Sequence, residues 1–168
     1  MTRLAVCPGS FDPVTLGHVD IVRRARHLFD EVVVVVGRNA AKSALLDVDQ
    51  RVALFQDAVA DLDGVRVMAL PGLLADLCRQ LRASAIVKGV RGGGDFDAEH
   101  PMALMNRHLG VDTVFLTAEP ELAHIASSMV RDVARHGGPI ADLVPAGVDD
   151  AVRRALAVQR GTEQEDAP

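Results

Sequence analysis

The stretch that decides the fold lies near the start of the chain: Pro8-Gly9-Ser10-Phe11-Asp12-Pro13-Val14-Thr15-Leu16-Gly17-His18. It follows an apolar run at residues 4–7 and leads into an amphipathic run that begins at Val19, an order that predicts strand, turn and helix. Its prolines and glycines interrupt regular structure and bend the backbone. A helix N-terminus favours an anion, and α/β proteins usually bind ligands after the first strand. We therefore predict that this loop holds a phosphate and that His18 contacts it.

Length and composition narrow the possible partners. The chain has 168 residues, of which 49% are hydrophobic and 24% charged, as expected for one ordinary globular domain. Its net charge of −5 argues against a general nucleic-acid binder. It has no Trp, no Tyr and only 5 Phe, too few aromatic side chains for a base-stacking surface. A phosphate ligand must therefore be held by a local cluster of cations.

Apolar runs alternate with amphipathic ones along the chain. Five consecutive valines at residues 32–36 predict a strand that is buried on both faces of a parallel sheet. The other predicted strands are residues 4–7, 65–70, 85–87 and 113–116. The predicted helices are residues 19–29, a helix capped by Asp49, and residues 73–81, 96–109, 129–135 and 148–158.

This βα alternation predicts a single-domain, doubly wound, five-stranded parallel sheet with C-terminal helices. We expect one domain over residues 1–160, and residues 161–168 to form a disordered acidic tail. Pro101 is expected to start, kink or break its helix. The chain shows neither a targeting segment nor an apolar run long enough to cross a bilayer, so the expected location is cytoplasmic, away from any membrane.

Several polar groups lie where predicted strands end. Residues 88–94 read Lys-Gly-Val-Arg-Gly-Gly-Gly and predict a second glycine-rich, basic loop, and Arg38 and Lys42 follow the valine strand. Ser127 is expected to cap the helix that follows it.

The two cysteines, Cys7 and Cys78, match no metal or redox spacing and are predicted to be buried thiols. The other five histidines show no pairing suited to a metal.

The opening stretch resembles the signature of the T/H-x-G-H nucleotidyltransferases and, within them, the phosphopantetheine adenylyltransferases. Further matching motifs follow in order over roughly residues 3–157: Lys42, Lys88-Gly89-Val90-Arg91, Asp95-Phe96, Glu99, Met105-Asn106-Arg107-His108 and Ile125-Ala126-Ser127-Ser128. The resemblance implies transfer of the adenylyl group of ATP to 4′-phosphopantetheine, giving dephospho-coenzyme A and pyrophosphate. It also implies a Rossmann-like nucleotidyltransferase fold, with the nucleotidyltransferase domain at residues 1–160. Further implications are Mg²⁺ carried on the nucleotide phosphates, a homohexamer, and feedback inhibition by coenzyme A.

The resemblance assigns roles to particular positions. His18 is implied as the transition-state stabiliser, with Lys42 and Arg91 as further catalytic cations. The implied substrate-binding residues are Ser10, Lys42, Leu74 and Lys88. The implied ATP-binding residues are Ser10, Phe11, His18, Gly89, Val90, Arg91, Glu99, His124, Ile125, Ala126, Ser127, Ser128, Met129 and Val130. No metal ligand is implied on the protein itself.

Five positions depart from the usual pattern of this family: Lys88 in place of arginine, Ala98 in place of an aromatic residue, His100 and Pro101 within a helix, and Ala126 in place of serine. Two alternatives stay open on the residues alone. One is a related transferase that acts on nicotinate mononucleotide or on a sugar or lipid phosphate. The other is a non-catalytic sensor of nucleotide or coenzyme A. A Rossmann dehydrogenase is disfavoured, because no Gly-x-Gly-x-x-Gly follows the first strand.

Overall fold

Five parallel strands form the centre of the protein. The structure, a computed structural model, describes residues 2–37 and 44–165, with side chains described as far as Gly161. The strands are β1 (Leu4–Gly9), β2 (Glu31–Val36), β3 (Val65–Ala69), β4 (Ala85–Val90) and β5 (Thr113–Thr117). They pair in the order β3-β2-β1-β4-β5, and every pairing is parallel. The predicted fold class is thus confirmed.

Helices connect the strands and cover both faces of the sheet, as expected for right-handed βαβ units. They are α1 (Leu16–Leu28), α2 (Val48–Ala58), α3 (Leu74–Leu81), α4 (Gly93–His108), α5 (Ser127–Arg135) and α6 (Val148–Glu165). The chain moves outward from β1 to β3, then returns to place β4 on the other side of β1. The change of direction leaves a crevice at the carboxyl ends of β1 and β4, the usual ligand position in such sheets.

The core has two layers because successive side chains of a strand point to opposite faces. On β2, Val32, Val34 and Val36 belong to one apolar cluster, whereas Val33 and Val35 belong to the other. All five valines are fully buried, which confirms the prediction of a strand covered on both faces.

Cys7 and Cys78 are also buried, as predicted, and burial raises the pKa of Cys7 to about 12. None of the helices in the described ranges is long and apolar enough to span a bilayer.

Several element boundaries differ from the predictions. The N-cap of α2 is Asp47: its side chain accepts from the N–H of Gln50 at 2.8 Å, and Gln50 Oε1 accepts from the N–H of Asp47 at 3.0 Å. The predicted cap, Asp49, lies instead in the first turn. Helix α4 continues through Pro101, so this proline neither starts nor breaks the helix, and the predicted kink stays a prediction. That helix is largely exposed, so water can satisfy the carbonyl that loses its partner.

The last helix also differs from its predicted length. We expected it to end at Val158, but α6 continues to Glu165. Glutamine, arginine and glutamate are good helix formers, so a polar composition there does not end the helix. Helix α6 thus extends over residues 161–165 of the predicted tail, whereas residues 166–168 lie outside the described residues. The division into one domain and a disordered acidic tail stays a prediction.

Candidate active site

Two adjoining cavities open at the carboxyl ends of β1 and β4. The larger has a volume of about 390 Å³ and the smaller about 270 Å³. The residues that line both are Ser10, Asp12, His18, Ile21, Gly89, Glu99, Ser127 and Arg131. His18 thus stands where the two cavities meet, at the crevice that the strand order predicts.

The first turn of α1 determines which nitrogen of His18 carries the proton. The backbone N–H of Thr15 donates to Nδ1 of His18 at 3.0 Å, and the N–H of His18 lies 3.4 Å from Thr15 Oγ1, a reciprocal capping box. A backbone N–H can only donate, so Nδ1 must be the acceptor and therefore unprotonated. In the neutral ring the proton is then on Nε2. The capping box makes His18 a hydrogen-bond donor through Nε2.

The surroundings of His18 keep its ring uncharged. Burial is the main cause that lowers the pKa of His18 from 6.5 to about 4, and the positive charges of Arg91 and then Lys88 lower it further. The ring is therefore neutral at physiological pH. A neutral donor beside two cations can stabilise an oxyanion without giving up a proton.

This electrostatic setting predicts an unusual titration. We expect the ring carbon resonances of His18 to stay unchanged from pH 8 to about 5.5 and to shift with a midpoint near 4. Since the native state then binds fewer protons than the unfolded state between pH 4 and 6.5, this residue makes stability rise with pH in that window. NMR titration of the ring resonances would measure the midpoint. A His18 midpoint near 6.5 would contradict the prediction.

Phe11 holds the imidazole from the side. Its ring meets the His18 ring edge-on at 5.0 Å and the Phe55 ring at 4.7 Å, both measured between centroids. Its backbone is left-handed, with φ of 49°, a conformation rare for a side chain of this size. A Cβ at Gly9 would come within 2.6 Å of the Phe11 ring, so only glycine fits beneath it. The strand-to-helix turn is thus packed around the histidine.

Two cations near His18 are each paired with a carboxylate of α4. Lys88 Nζ lies 3.0 Å from Glu99 Oε2. Arg91 forms a bidentate pair with Asp95, with Nε and Nη2 at 2.7 and 2.8 Å from the two carboxylate oxygens. The hydrogen bond of this pair lowers the pKa of Asp95 and raises that of Arg91. These carboxylates hold both cations at the border of the cleft.

Asp12 connects the first loop to two other parts of the site. Its buried carboxylate accepts from the backbone N–H groups of Leu45 and Leu46 at 2.9 and 3.0 Å. Arg131 of α5 lies 3.6 Å from the same carboxylate and also donates to the Asp12 carbonyl. Asp12 therefore joins the loop after β1, the segment before α2 and the middle of α5.

Comparisons with known proteins agree with this geometry. A family model described as cytidylyltransferase-like matches residues 6–133. The chain is 52% identical over 158 residues to a phosphopantetheine adenylyltransferase of Nocardioides sp., covering 94% of this chain and 99% of the relative. It belongs to the phosphopantetheine adenylyltransferase family.

Other relatives support the same assignment. A phosphopantetheine adenylyltransferase of Micrococcus luteus is 53% identical over 148 residues, covering 87% of this chain and 94% of the relative. The fold also matches a solved structure described as a nicotinate-nucleotide adenylyltransferase from Vibrio parahaemolyticus. That match has a TM-score of 0.64 and 20% identity, and it covers 90% of this chain and 99% of the other. The family predicted from the sequence is thereby confirmed.

The structure brings together most of the positions that the adenylyltransferase resemblance implies. The predicted residues that line at least one of the two cavities are Ser10, Phe11, His18, Lys88, Gly89, Val90, Arg91, Glu99, Ile125, Ala126, Ser127 and Ser128. Their individual roles stay predictions. Lys42, predicted as both catalytic and substrate-binding, lies outside the described residues.

Four predicted residues line neither of these two cavities. Val130 is buried in the first apolar cluster, and Leu74 packs against the second. Met129 is 61% exposed, and His124 lies in a turn before α5. Their proposed contacts with ATP or the acceptor stay predictions of the family resemblance.

The second glycine-rich, basic loop, predicted at residues 88–94, is much shorter than expected. Lys88, Gly89 and Val90 belong to β4 and pair with residues 115–117 of β5. Gly93 and Gly94 already belong to α4, which leaves only Arg91 and Gly92 between the two elements. Pairing with β5 lengthens the strand despite its glycine. A Cβ at Gly89 would lie 2.7 Å from Ile21 Cγ1, so close packing against α1 accounts for that glycine.

The predicted cap of α5 also proved wrong. The N-cap is Ala126, and Ser127 is the first helical residue. Ser127 Oγ donates instead to the carbonyl of Pro13 at 2.8 Å. The Ser127 hydroxyl thus bonds to a residue distant in sequence and does not cap its own helix. This bond attaches α5 to the loop after β1.

Two cations of the cleft were missed by sequence reasoning. Arg131 lines both cavities, and Arg51 lines the larger one. Arg131 stands one helical turn after Ser127, a spacing that places both on one face of α5 and could have indicated it. Arg51 resembles any arginine in an amphipathic helix, and nothing local marks it as buried.

Proposed function

We propose that this chain transfers the adenylyl group of ATP to 4′-phosphopantetheine, giving dephospho-coenzyme A and pyrophosphate. The observation that carries the proposal is the position of His18, a neutral donor at the junction of two cavities with Lys88 and Arg91 beside it. Family membership supplies the identity of the two substrates.

The two cavities suit the two substrates. The larger one is bordered by Arg91, Glu99 and the first residues of α5, which are among the positions implied for ATP. The smaller one is bordered by Lys88 and Phe11, and Lys88 is implied for the acceptor. Ser10 and His18 border both cavities. We assign the nucleotide to the larger cavity and the acceptor phosphate to the smaller, so that the α-phosphorus lies near His18.

The reaction then needs little covalent chemistry from the protein. A phosphate oxygen of the acceptor attacks the α-phosphorus, the bond from that phosphorus to the bridging oxygen breaks, and pyrophosphate leaves with the electron pair. Negative charge grows on the oxygens around the α-phosphorus as this happens. The Nε2–H of His18 donates to one of these oxygens, and Lys88 and Arg91 balance the charge. Holding both polyanions in line supplies the rest of the acceleration.

Magnesium fits this site as an ion carried by the nucleotide. The cleft carboxylates Asp12, Asp95 and Glu99 are each paired with a cation. Within residues 2–37 and 44–165 no group of three acidic, histidine or cysteine side chains could hold a metal. Mg²⁺ prefers phosphate and water ligands, and when bound it would neutralise charge on the leaving pyrophosphate.

A turnover assay tests the proposal. The purified protein is incubated with Mg-ATP and 4′-phosphopantetheine, and pyrophosphate and dephospho-coenzyme A are measured. Parallel reactions contain nicotinate mononucleotide or glycerol phosphate as acceptor. We expect both products with 4′-phosphopantetheine and little pyrophosphate with the other acceptors. Nucleotide binding without turnover at high protein concentration would favour the sensor alternative instead.

We further infer that the chain self-associates through α4 and that the assembly is a homohexamer. Helix α4 has 16 residues, of which only Asn106 is buried. Met102, Leu104 and Met105 are 56%, 55% and 54% exposed, which leaves three large apolar side chains on the surface of one helix. Another copy covering this helix would explain its composition. Feedback inhibition by coenzyme A and the cytoplasmic location stay predictions of the resemblance.

Charged substitutions on this surface test the assembly. We expect a Met102→Glu, Leu104→Glu double variant to lower the mass measured by light scattering, since two carboxylates would have to be buried in the interface. Leu28→Glu is the matched control, because Leu28 is similarly exposed, at 48%, but lies on α1. An unchanged mass for the double variant, or dissociation by the control alone, would contradict an interface at α4.

A further inference from the structure

Arg51 differs from the other cations of the cleft. Its side chain is buried, with only 4% of the residue exposed. Lys88, Arg91 and Arg131 each lie within 4 Å of a carboxylate, whereas Arg51 forms no ion pair with any residue in the described ranges. Arginine is almost never fully buried unless paired, because removing its charge from water is costly. The absence of a described counter-charge therefore calls for an explanation.

The guanidinium of Arg51 bonds to backbone carbonyls from three segments. Nη1 donates to the carbonyl of Ser10 at 2.7 Å and to that of Gly37 at 3.0 Å. Nε donates to the carbonyls of Leu46 and Asp47 at 3.0 and 3.2 Å. These carbonyls follow β1, follow β2 and precede α2. The side chain of Arg51 thus connects the loop after β1 to the end of β2, the neighbouring strand in the sheet.

The bond to Ser10 also orients the next N–H group. A trans peptide is planar, with its carbonyl and N–H on opposite sides, so fixing the Ser10 carbonyl directs the N–H of Phe11 away from Arg51. No described residue accepts a hydrogen bond from that N–H. Phe11 borders the smaller cavity and has φ of 49°, a conformation that needs such external support.

We propose that Arg51 is a positioning residue of the phosphate site: it orients the Ser10–Phe11 peptide towards a bound phosphate and leaves in the cleft wall a positive charge that the ligand balances. This inference rests on the proposed adenylyl transfer for its ligand class. It adds to that function a residue on α2 that holds the first loop in place and contributes to the field that attracts phosphates.

Two substitutions separate the charge of Arg51 from its geometry. Arg51→Met keeps length and removes the charge, whereas Arg51→Lys keeps the charge but offers a single nitrogen in place of the guanidinium. Arg23→Met is the control, since Arg23 is an exposed arginine paired with Asp61 at 3.4 Å. Calorimetry with inorganic pyrophosphate measures binding, and steady-state kinetics with Mg-ATP and 4′-phosphopantetheine measure kcat and KM.

We expect Arg51→Met to weaken pyrophosphate binding about tenfold or more, the effect of losing one close charge. Arg51→Lys should bind pyrophosphate within about threefold of the unmodified chain yet lose at least about tenfold in kcat, since the peptide is no longer held. Arg23→Met should change neither. If Arg51→Met does not fold, the split between affinity and kcat in Arg51→Lys decides the matter.

A merely structural role gives a different result. It would lower the melting temperature of Arg51→Met while leaving the pyrophosphate affinity of the folded protein within about twofold of that of the unmodified chain. That outcome would overturn the proposal. An unchanged kcat in Arg51→Lys would also overturn it. The binding arm needs no turnover, so it stays informative if the unmodified chain proves inactive. Conversely, an active chain with unaffected Arg51 variants would refute only the role of Arg51.

Discussion

Replacing His18 with alanine is expected to lower kcat by about a hundredfold or more while changing the Kd for ATP by less than about threefold. The reason is that Nε2–H meets an oxygen whose charge grows only as the α-phosphorus is attacked, so the bond is strongest in the transition state. His18→Gln should recover part of the lost rate, since its amide is also a neutral donor.

Steady-state kinetics and calorimetry with a non-hydrolysable ATP analogue measure the two quantities. His27→Ala is the matched control, because His27 is exposed on the same helix, far along α1 from the turn. The thermal melt of each variant must stay cooperative, since His18 also completes the capping box. Equal losses in kcat and in ATP affinity would instead make His18 an ordinary binding residue.

The second large effect is expected from Asp12→Ala, which should lower the free energy of unfolding by about 3–5 kcal/mol. The substitution leaves the N–H groups of Leu45 and Leu46 without their acceptor and leaves Arg131 without its carboxylate. Asp12→Asn should lose less, because its amide oxygen still accepts one of the two bonds.

Urea unfolding at one fixed protein concentration measures the difference, since association would otherwise shift the midpoint. Asp132→Ala serves as the control: its carboxylate is 72% exposed and should contribute less than about 1 kcal/mol. A loss below about 1 kcal/mol for Asp12→Ala would mean that water replaces the carboxylate and that this network does not hold the loops together.

Local sequence was most informative where a single residue type or short pattern specifies structure. The valines of β2 are predicted to be buried on both faces because β-branched residues without polar neighbours suit only a covered strand. The stretch from Pro8 to His18 predicts its strand, turn and helix because prolines and glycines stop one element just before the next begins. The candidate site at His18 follows from the same pattern, since ligands bind where such a turn meets a helix N-terminus.

Two further predictions failed because a distant partner decides the outcome. Lys88 to Val90 join a strand because β5 provides hydrogen-bond partners, and Ser127 leaves its cap position because Pro13 provides an acceptor. Each local signal was correct in kind, since glycines do favour loops and serine does favour caps. The competing contacts come from residues far away in sequence.

The order of residues alone therefore determined the individual elements and the position of His18 in the first turn of α1, because each depends on neighbours within one or two helical turns. The succession of elements and motifs along the whole chain then determined the parallel sheet and the family. Only the tertiary structure decided the uncharged state of His18, the burial of Arg51 and the network around Asp12. These depend on burial and on carbonyls or charges contributed by other strands and helices, and such distances are set only when the sheet has assembled.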